Sequence, residues 1–147
     1  MMILIDGDAC SVITKTEQLA KKYNIPCHIY CDTHRILDSN YSEIHIVDHG
    51  RDSADFAIVN KCGKNDIVIT NDSGLAAMVL AKQSIAINSK GFEYTKQNIL
   101  SLLTSRHIRS HEVRKTNRNQ VKTMRTNIPH NSYTTTLKDA ICRTERN

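Results

Sequence analysis

This 147-residue sequence contains no C-x-x-C pair, no apolar run near the ~20 residues of a membrane-spanning helix, and no internal repeat. The five cysteines, Cys10, Cys27, Cys31, Cys62 and Cys142, are an odd number without metal-ribbon spacing. A disulfide framework is therefore excluded and a reduced compartment expected. Without a long apolar run the chain is not an integral helical membrane protein, and no basic leader with a long apolar segment precedes its first strand-like run. The expectation is a cytoplasmic protein that does not enter the membrane. One domain is expected at this length, large enough to bury about 68–70% of its unfolded surface and fold without staples.

Charge of one sign is scarce at the C-terminal end. Residues 1–99 hold 10 Lys+Arg against 12 Asp+Glu, a net of −2, whereas residues 100–147 hold 10 against 3, a net of +7. The overall +5 thus combines an acidic body with a basic tail. From Arg106 to Arg125 there are seven Lys or Arg, one Glu and few apolar residues, so no packed core can be built from that segment. The alternatives are a solvated tail or a surface for a polyanion, of which nucleic acid, RNA in particular, is the commonest in cytoplasm. The chain divides into an α/β domain at 1–105 and a basic C-terminal extension at 106–147, packed on or trailing that domain. Homo-oligomerisation is left open.

Strand-like runs recur at Met2–Asp6, Pro26–Cys31, Glu43–Val47, Asp66–Thr70 and Ser84–Asn88, several of them nearly continuous in Ile, Val and Leu. Helix-like segments lie between them. Val12, Ile13, Leu19, Ala20 and Tyr23 share one helical face, and Thr14-x-x-Glu17 has capping-box spacing, with Ser11 as an earlier start. Ser53 is expected to cap a helix that closes near Gly63, and Ser73 precedes the apolar run Leu75 to Leu80. A further helix starts near Thr95 and continues past 104, followed by an irregular basic segment and a short helix around Thr135 to Cys142. Strand and helix alternating end to end predict a three-layer α/β/α sandwich around a mainly parallel five-stranded sheet.

In such sheets, ligands bind beyond the carboxyl ends of the strands, and that is where the acids fall. The first strand-like run ends in Asp6 and Asp8, one residue apart across Gly7, which lets the backbone turn without a Cβ clash. Two carboxylates so placed repel unless solvated, partly protonated or bridged by a hard cation such as Mg²⁺. Asp52 and Asp55 in RDSADFAIV and Asp72 in TNDSGLAA occupy strand ends or first helical turns as well. Asp55 also suits a helix dipole and Asp72 an N-cap, effects of about 0.3–2 kcal/mol each. Their convergence on the edge that holds Asp6 favours a Mg²⁺ or Mn²⁺ site, with Asp6, Asp55 and Asp72 as ligands. Asp66 reads as a turn residue.

Other constellations are weaker. Cys27-His28-x-x-Cys31-x-x-His34 invites zinc, but strand alternation sends Cys27 and Cys31 to one face and His28 to the other. His107 and His111 lack the H-E-x-x-H order of a zinc peptidase and read as basic surface. Cys10, near a helix start, reads as a packing residue.

The string DGDAC, with RDSADFAIV, GKNDIVITNDSGLAAMVLAK and SKGFEYT, resembles the YaiI/YqxD family of uncharacterised bacterial proteins over roughly residues 1–130. That family is grouped with PIN-like nuclease domains. The resemblance implies the strand order 3-2-1-4-5, an acid cluster at the carboxyl edge, and Mg²⁺- or Mn²⁺-dependent cleavage of RNA or DNA. It carries site roles to Asp6, Asp8, Asp52, Asp55 and Asp72, with Asn71 and Ser73 as lesser candidates. Gly7 and Ser11 depart from the usual D-A-D-A-C-P, and the segment after Arg114 lacks the family's Gly/Pro-rich stretch.

Two functional classes follow. One is a metal-dependent nuclease in which Arg106, Arg109, Arg114, Lys115 and Arg118 hold phosphates. The other is a nucleic-acid or protein binding module with a vestigial acid cluster. A haloacid-dehalogenase-type phosphatase would use Asp6 as nucleophile and Asp8 as acid, but no paired acids follow Asp72 to hold its Mg²⁺. A receiver domain lacks an adjacent acid pair and has too short a spacing from Asp48 to Thr70.

Overall fold

Ile3, Leu4 and Ile5 are completely buried, because the strand they form, β1 (Ile3–Asp6), lies in the interior of the sheet with helices over both faces. The computed structural model describes residues 1–32, 38–47, 52–115 and 132–146, with backbone alone at 8–10 and 106–115. β1 pairs in parallel with β2 (Cys27–Asp32) on one side and β4 (Ile67–Ile69) on the other. β3 (Glu43–Val47) and β5 (Ile85–Ile87) extend the parallel array, and β6 (Glu93–Tyr94) adds an antiparallel edge, giving the order β3-β2-β1-β4-β5-β6.

The first five strands match the expected order. β6 is an addition of two residues, too short to leave a periodicity. It forms because Gly91, at φ 83°, turns the chain back so that the Asn88 amide donates to the Phe92 carbonyl.

Alternation along the strands builds two cores. Ile3, Ile5, Ile29, Ile67, Ile69 and Ile87 face α1 (Ile13–Lys22) and α5 (Tyr133–Glu145), which contributes Leu137, Ala140 and Ile141. Leu4, Tyr30, Val68 and Ala86 face α2 (Ser53–Lys61), α3 (Ser73–Ala81) and α4 (Lys96–Lys115). The C-terminal helix is thus a structural member of the first core, locked further by the hydroxyls of Thr16 and Tyr133, 2.6 Å apart. The basic segment at 116–131, which includes Arg118, lies outside the described residues.

Local capping differs from expectation in two places. α1 begins at Ile13, after a 3-10 turn (Gly7–Val12), with Val12 at its N-cap and no side-chain cap. Thr14 and Glu17 therefore form no capping box. Glu17 instead accepts hydrogen bonds from the hydroxyls of Ser39 and Ser42, tying α1 to the segment before β3. Ser53 is the first residue of α2 rather than its cap, because Asp52 occupies the N-cap in the left-handed region at φ 64°. Asp66 is a turn residue as expected, its carboxylate accepting from the amides of Met2 and Gly63 at 2.8 and 2.9 Å.

Two outcomes test this packing. Leu137→Ala, which empties a fully buried site in the core that α5 shares with α1 and the sheet, should cost about 2–5 kcal/mol in urea denaturation, as large-to-small core changes do. A cost below about 1 kcal/mol would mean that α5 is not seated in the core. Burial pushes the Cys27 thiol up to about 11, so iodoacetamide at pH 8 should modify half-buried Cys142 in the native protein and spare Cys27, as read by peptide mass mapping.

Candidate functional site

The chain winds outward from β1 through β2 to β3, then returns to the other side of β1 to place β4 and β5. The carboxyl ends of β1 and β4 therefore flank the point where the winding reverses, the usual ligand crevice of an open α/β sheet. Asp6, the last residue of β1, is only 5% exposed there. Its Oδ2 accepts a 2.7 Å hydrogen bond from Oγ1 of Thr70, the residue after β4. The same Thr70 oxygen accepts from the Asp72 amide at 3.0 Å, so the hydroxyl is oriented from both sides. Desolvating a carboxylate is costly without such a donor.

Asp72 is the N-cap of α3, and its Oδ1 accepts from the amides of Gly74 and Leu75 at 2.6 and 3.4 Å. Asn71 carries its neighbour's position onward, its Oδ1 accepting from the amide and hydroxyl of Ser89 at 3.1 and 2.8 Å. The β4–α3 corner is thereby fastened to the β5–β6 turn. Ser73 opens α3. On α2, exposed Asp52 is the N-cap without a side-chain cap bond and half-buried Asp55 lies in the first turn. Since α2 and α3 each connect parallel strands, both start at the carboxyl edge, and their dipoles present positive ends to it.

Asp6, Asp55 and Asp72 consequently belong to one face and one end of the sheet. The extended backbone ends at Asp6, and Gly7 opens a 3-10 turn that carries the backbone of Asp8. Gly7 presses against β2, where a Cβ would sit 2.8 Å from the Tyr30 carbonyl oxygen. The side chains of Asp8, Arg106, Arg109, Arg114 and Lys115 are outside the described atoms.

The zinc spacing around Cys27 divides as alternation requires. Cys27 is buried in the core under α1 and α5, whereas His28 points to the opposite face, and His34 lies outside the described residues. His28 has other company that spacing alone did not reveal. Across the β2–β3 ladder it meets Glu43 and His45, which alternate on one face of β3, with His28 Nδ1 3.0 Å from His45 Nε2. Glu43 Oε2 is 3.5 Å from His28 and Oε1 3.6 Å from His45. Burial lowers the His28 pKa, with Glu43 opposing the shift, so its imidazole is biased toward the neutral form.

A family model described as "Uncharacterized BCR, YaiI/YqxD family" matches residues 4–143. A UPF0178 protein of Clostridium acetobutylicum is 42% identical over 122 residues, 83% of this chain and 82% of that protein. One from Natranaerobius thermophilus is 40% identical over 142 residues, 96% of each. Another, from Clostridium kluyveri, is 50% identical over 116 residues, covering 79% of this chain and 76% of its own. No solved structure matches the chain.

The cap at Asp72 is separable from any chemistry by substitution. Asp72→Ala should lower stability by about 0.5–2 kcal/mol in chemical denaturation, and Asp72→Asn, which keeps the acceptor, by much less. Equal losses in the two variants would show that charge at this edge, rather than the cap, is what stabilises.

Proposed function

The chain belongs to the YaiI/YqxD family, and we propose that the acid-lined reversal point of its sheet is a divalent-metal site for hydrolysing phosphodiester bonds of nucleic acid, as in PIN-like nucleases. The observation that carries this reading is a buried carboxylate, Asp6, at the carboxyl edge of β1, hydrogen-bonded to Thr70 beside the Asp72 cap. By donor type the residues suit a hard cation, since Asp6, Asp55 and Asp72 offer carboxylate oxygen and the neighbouring groups offer hydroxyl and amide, although these three are not among the described groups whose ligand atoms all lie within 4.8 Å of one another. These three residues would hold Mg²⁺ or Mn²⁺, which when bound stabilises charge on a phosphoryl oxygen and lowers the pKa of a water.

The chain's own residues supply the rest. Thr70 fixes the Asp6 carboxylate, so one of its oxygens keeps a constant direction. Asp8 or Asp52 orients the attacking water. Asn71 and Ser73 line the corner as polar neighbours. The α4 helix begins after β6, whose antiparallel run leaves the chain at the edge opposite the acids. Its 20 residues make it about 30 Å long, enough to lead the backbone of Arg106, Arg109, Arg114 and Lys115 back along the sheet. Those cations hold the phosphates of an RNA strand.

Asp6→Asn retains an acceptor for Thr70 and removes the charge. It should keep the fold by circular dichroism and lose Mn²⁺-stimulated cleavage of single-stranded RNA; cleavage equal to wild type would contradict the assignment.

One observation favours a second reading. Asp72 serves as a helix cap, a sufficient structural reason for its presence, which leaves room for a non-catalytic nucleic-acid binding module. That module binds single strands in EDTA, with a log–log salt slope of about −0.7 per phosphate contact. Arg109→Ala combined with Arg114→Ala should then flatten the slope by about 1.4 in filter-binding titrations. An unchanged slope would remove α4 as the contact surface.

A further inference from the structure

We propose that His28, Glu43 and His45 form a second metal site, for a late divalent transition ion such as Zn²⁺, that clips edge strand β3 to β2. The proposal rests on this cluster alone and is independent of the acid edge. Register makes it: His28 pairs with Glu43 and Tyr30 with His45, so the two histidines and the glutamate project from one face of two hydrogen-bonded strands. Strand backbones are rigid supports, and Tyr30 adds a stacking surface for the His45 ring at 4.6 Å and 13°.

The separations suit a shared ion. Donors 2.0–2.2 Å from a tetrahedral zinc lie about 3.3–3.6 Å from one another. Here the three separations are 3.0, 3.5 and 3.6 Å. The two nitrogens need to part by only about 0.3 Å. Glu43 straddles them, one oxygen toward each ring.

Donor chemistry separates this cluster from the carboxyl edge. Two imidazoles and one carboxylate select zinc or its neighbours over Mg²⁺. Side-chain exposure rises from 13% at His28 through 30% at His45 to 68% at Glu43, so an ion enters from solvent and a water completes the fourth position. Lys61, at the end of α2, bears on His28 as a repelling charge, and Glu43 and Asp66 oppose it. With three protein ligands on two strands, the ion joins β3, whose other edge is unpaired among the described residues, to the sheet interior.

The test is calorimetric titration of the reduced, metal-free full chain with ZnCl₂, with Co²⁺ absorption spectra recorded in parallel. Wild type should bind one Zn²⁺ here, and Co²⁺ should give the visible bands of a four-coordinate nitrogen and oxygen site without a thiolate charge-transfer band. Loss of even an outer-shell partner weakens metal sites 10–100-fold, so Glu43→Gln should weaken binding at least about tenfold. His45→Phe, which keeps a ring against Tyr30, should abolish it. Glu43 is exposed, so its variant tests the site even if His45→Phe folds poorly. Affinity unchanged in Glu43→Gln, a thiolate band showing cysteine ligation instead, or no Zn²⁺ binding by wild type would each overturn the proposal.

Discussion

The hydrogen bond from Thr70 to Asp6 is the constraint around which this molecule is arranged. It joins the carboxyl ends of β1 and β4, the two strands between which the winding of the sheet reverses. A carboxylate in so buried a position is costly to desolvate, and a neutral donor compensates only part of that cost. Thr70 is itself aligned by the Asp72 amide, and Asp72 starts α3, so the first strand, the fourth strand and a covering helix share one chain of contacts.

Much of the architecture was legible because the strand interiors are nearly unbroken Ile, Val and Leu runs, a pattern that only a doubly covered sheet explains. The helix ends were less so. Thr14 and Glu17 have the spacing of a capping box, but Glu17 is drawn to Ser39 and Ser42, partners more than twenty residues away. Ser53 looked like a cap because local spacing does not reveal that Asp52 adopts a left-handed backbone. At the site, Asp6 and Asp72 stand where strand ends predicted them, and Asp72 carries the capping role that was its structural alternative. The extended backbone ends at Asp6 because a 3-10 turn follows β1 directly.

The His28, Glu43 and His45 cluster was invisible for a different reason. Its members are adjacent only through the register of β2 on β3, a property of the folded sheet and not of sequence spacing. The Cys27 and His28 string groups that histidine with thiols, and alternation sends Cys27 into the opposite core. The face of the sheet under α2 thus carries hard oxygen donors at its carboxyl edge and nitrogen donors toward its amino edge. Two donor chemistries so separated suit two different ions.

The central claim is that Asp6 and Asp72 share a divalent cation. Anomalous diffraction from a crystal soaked in Mn²⁺ addresses it without reference to any substrate. The account predicts an anomalous peak within ligand distance of the Asp6 carboxylate, between β1 and the start of α3. A fully soaked crystal with no peak at that edge, and Asp6 still bonded to Thr70, would contradict it.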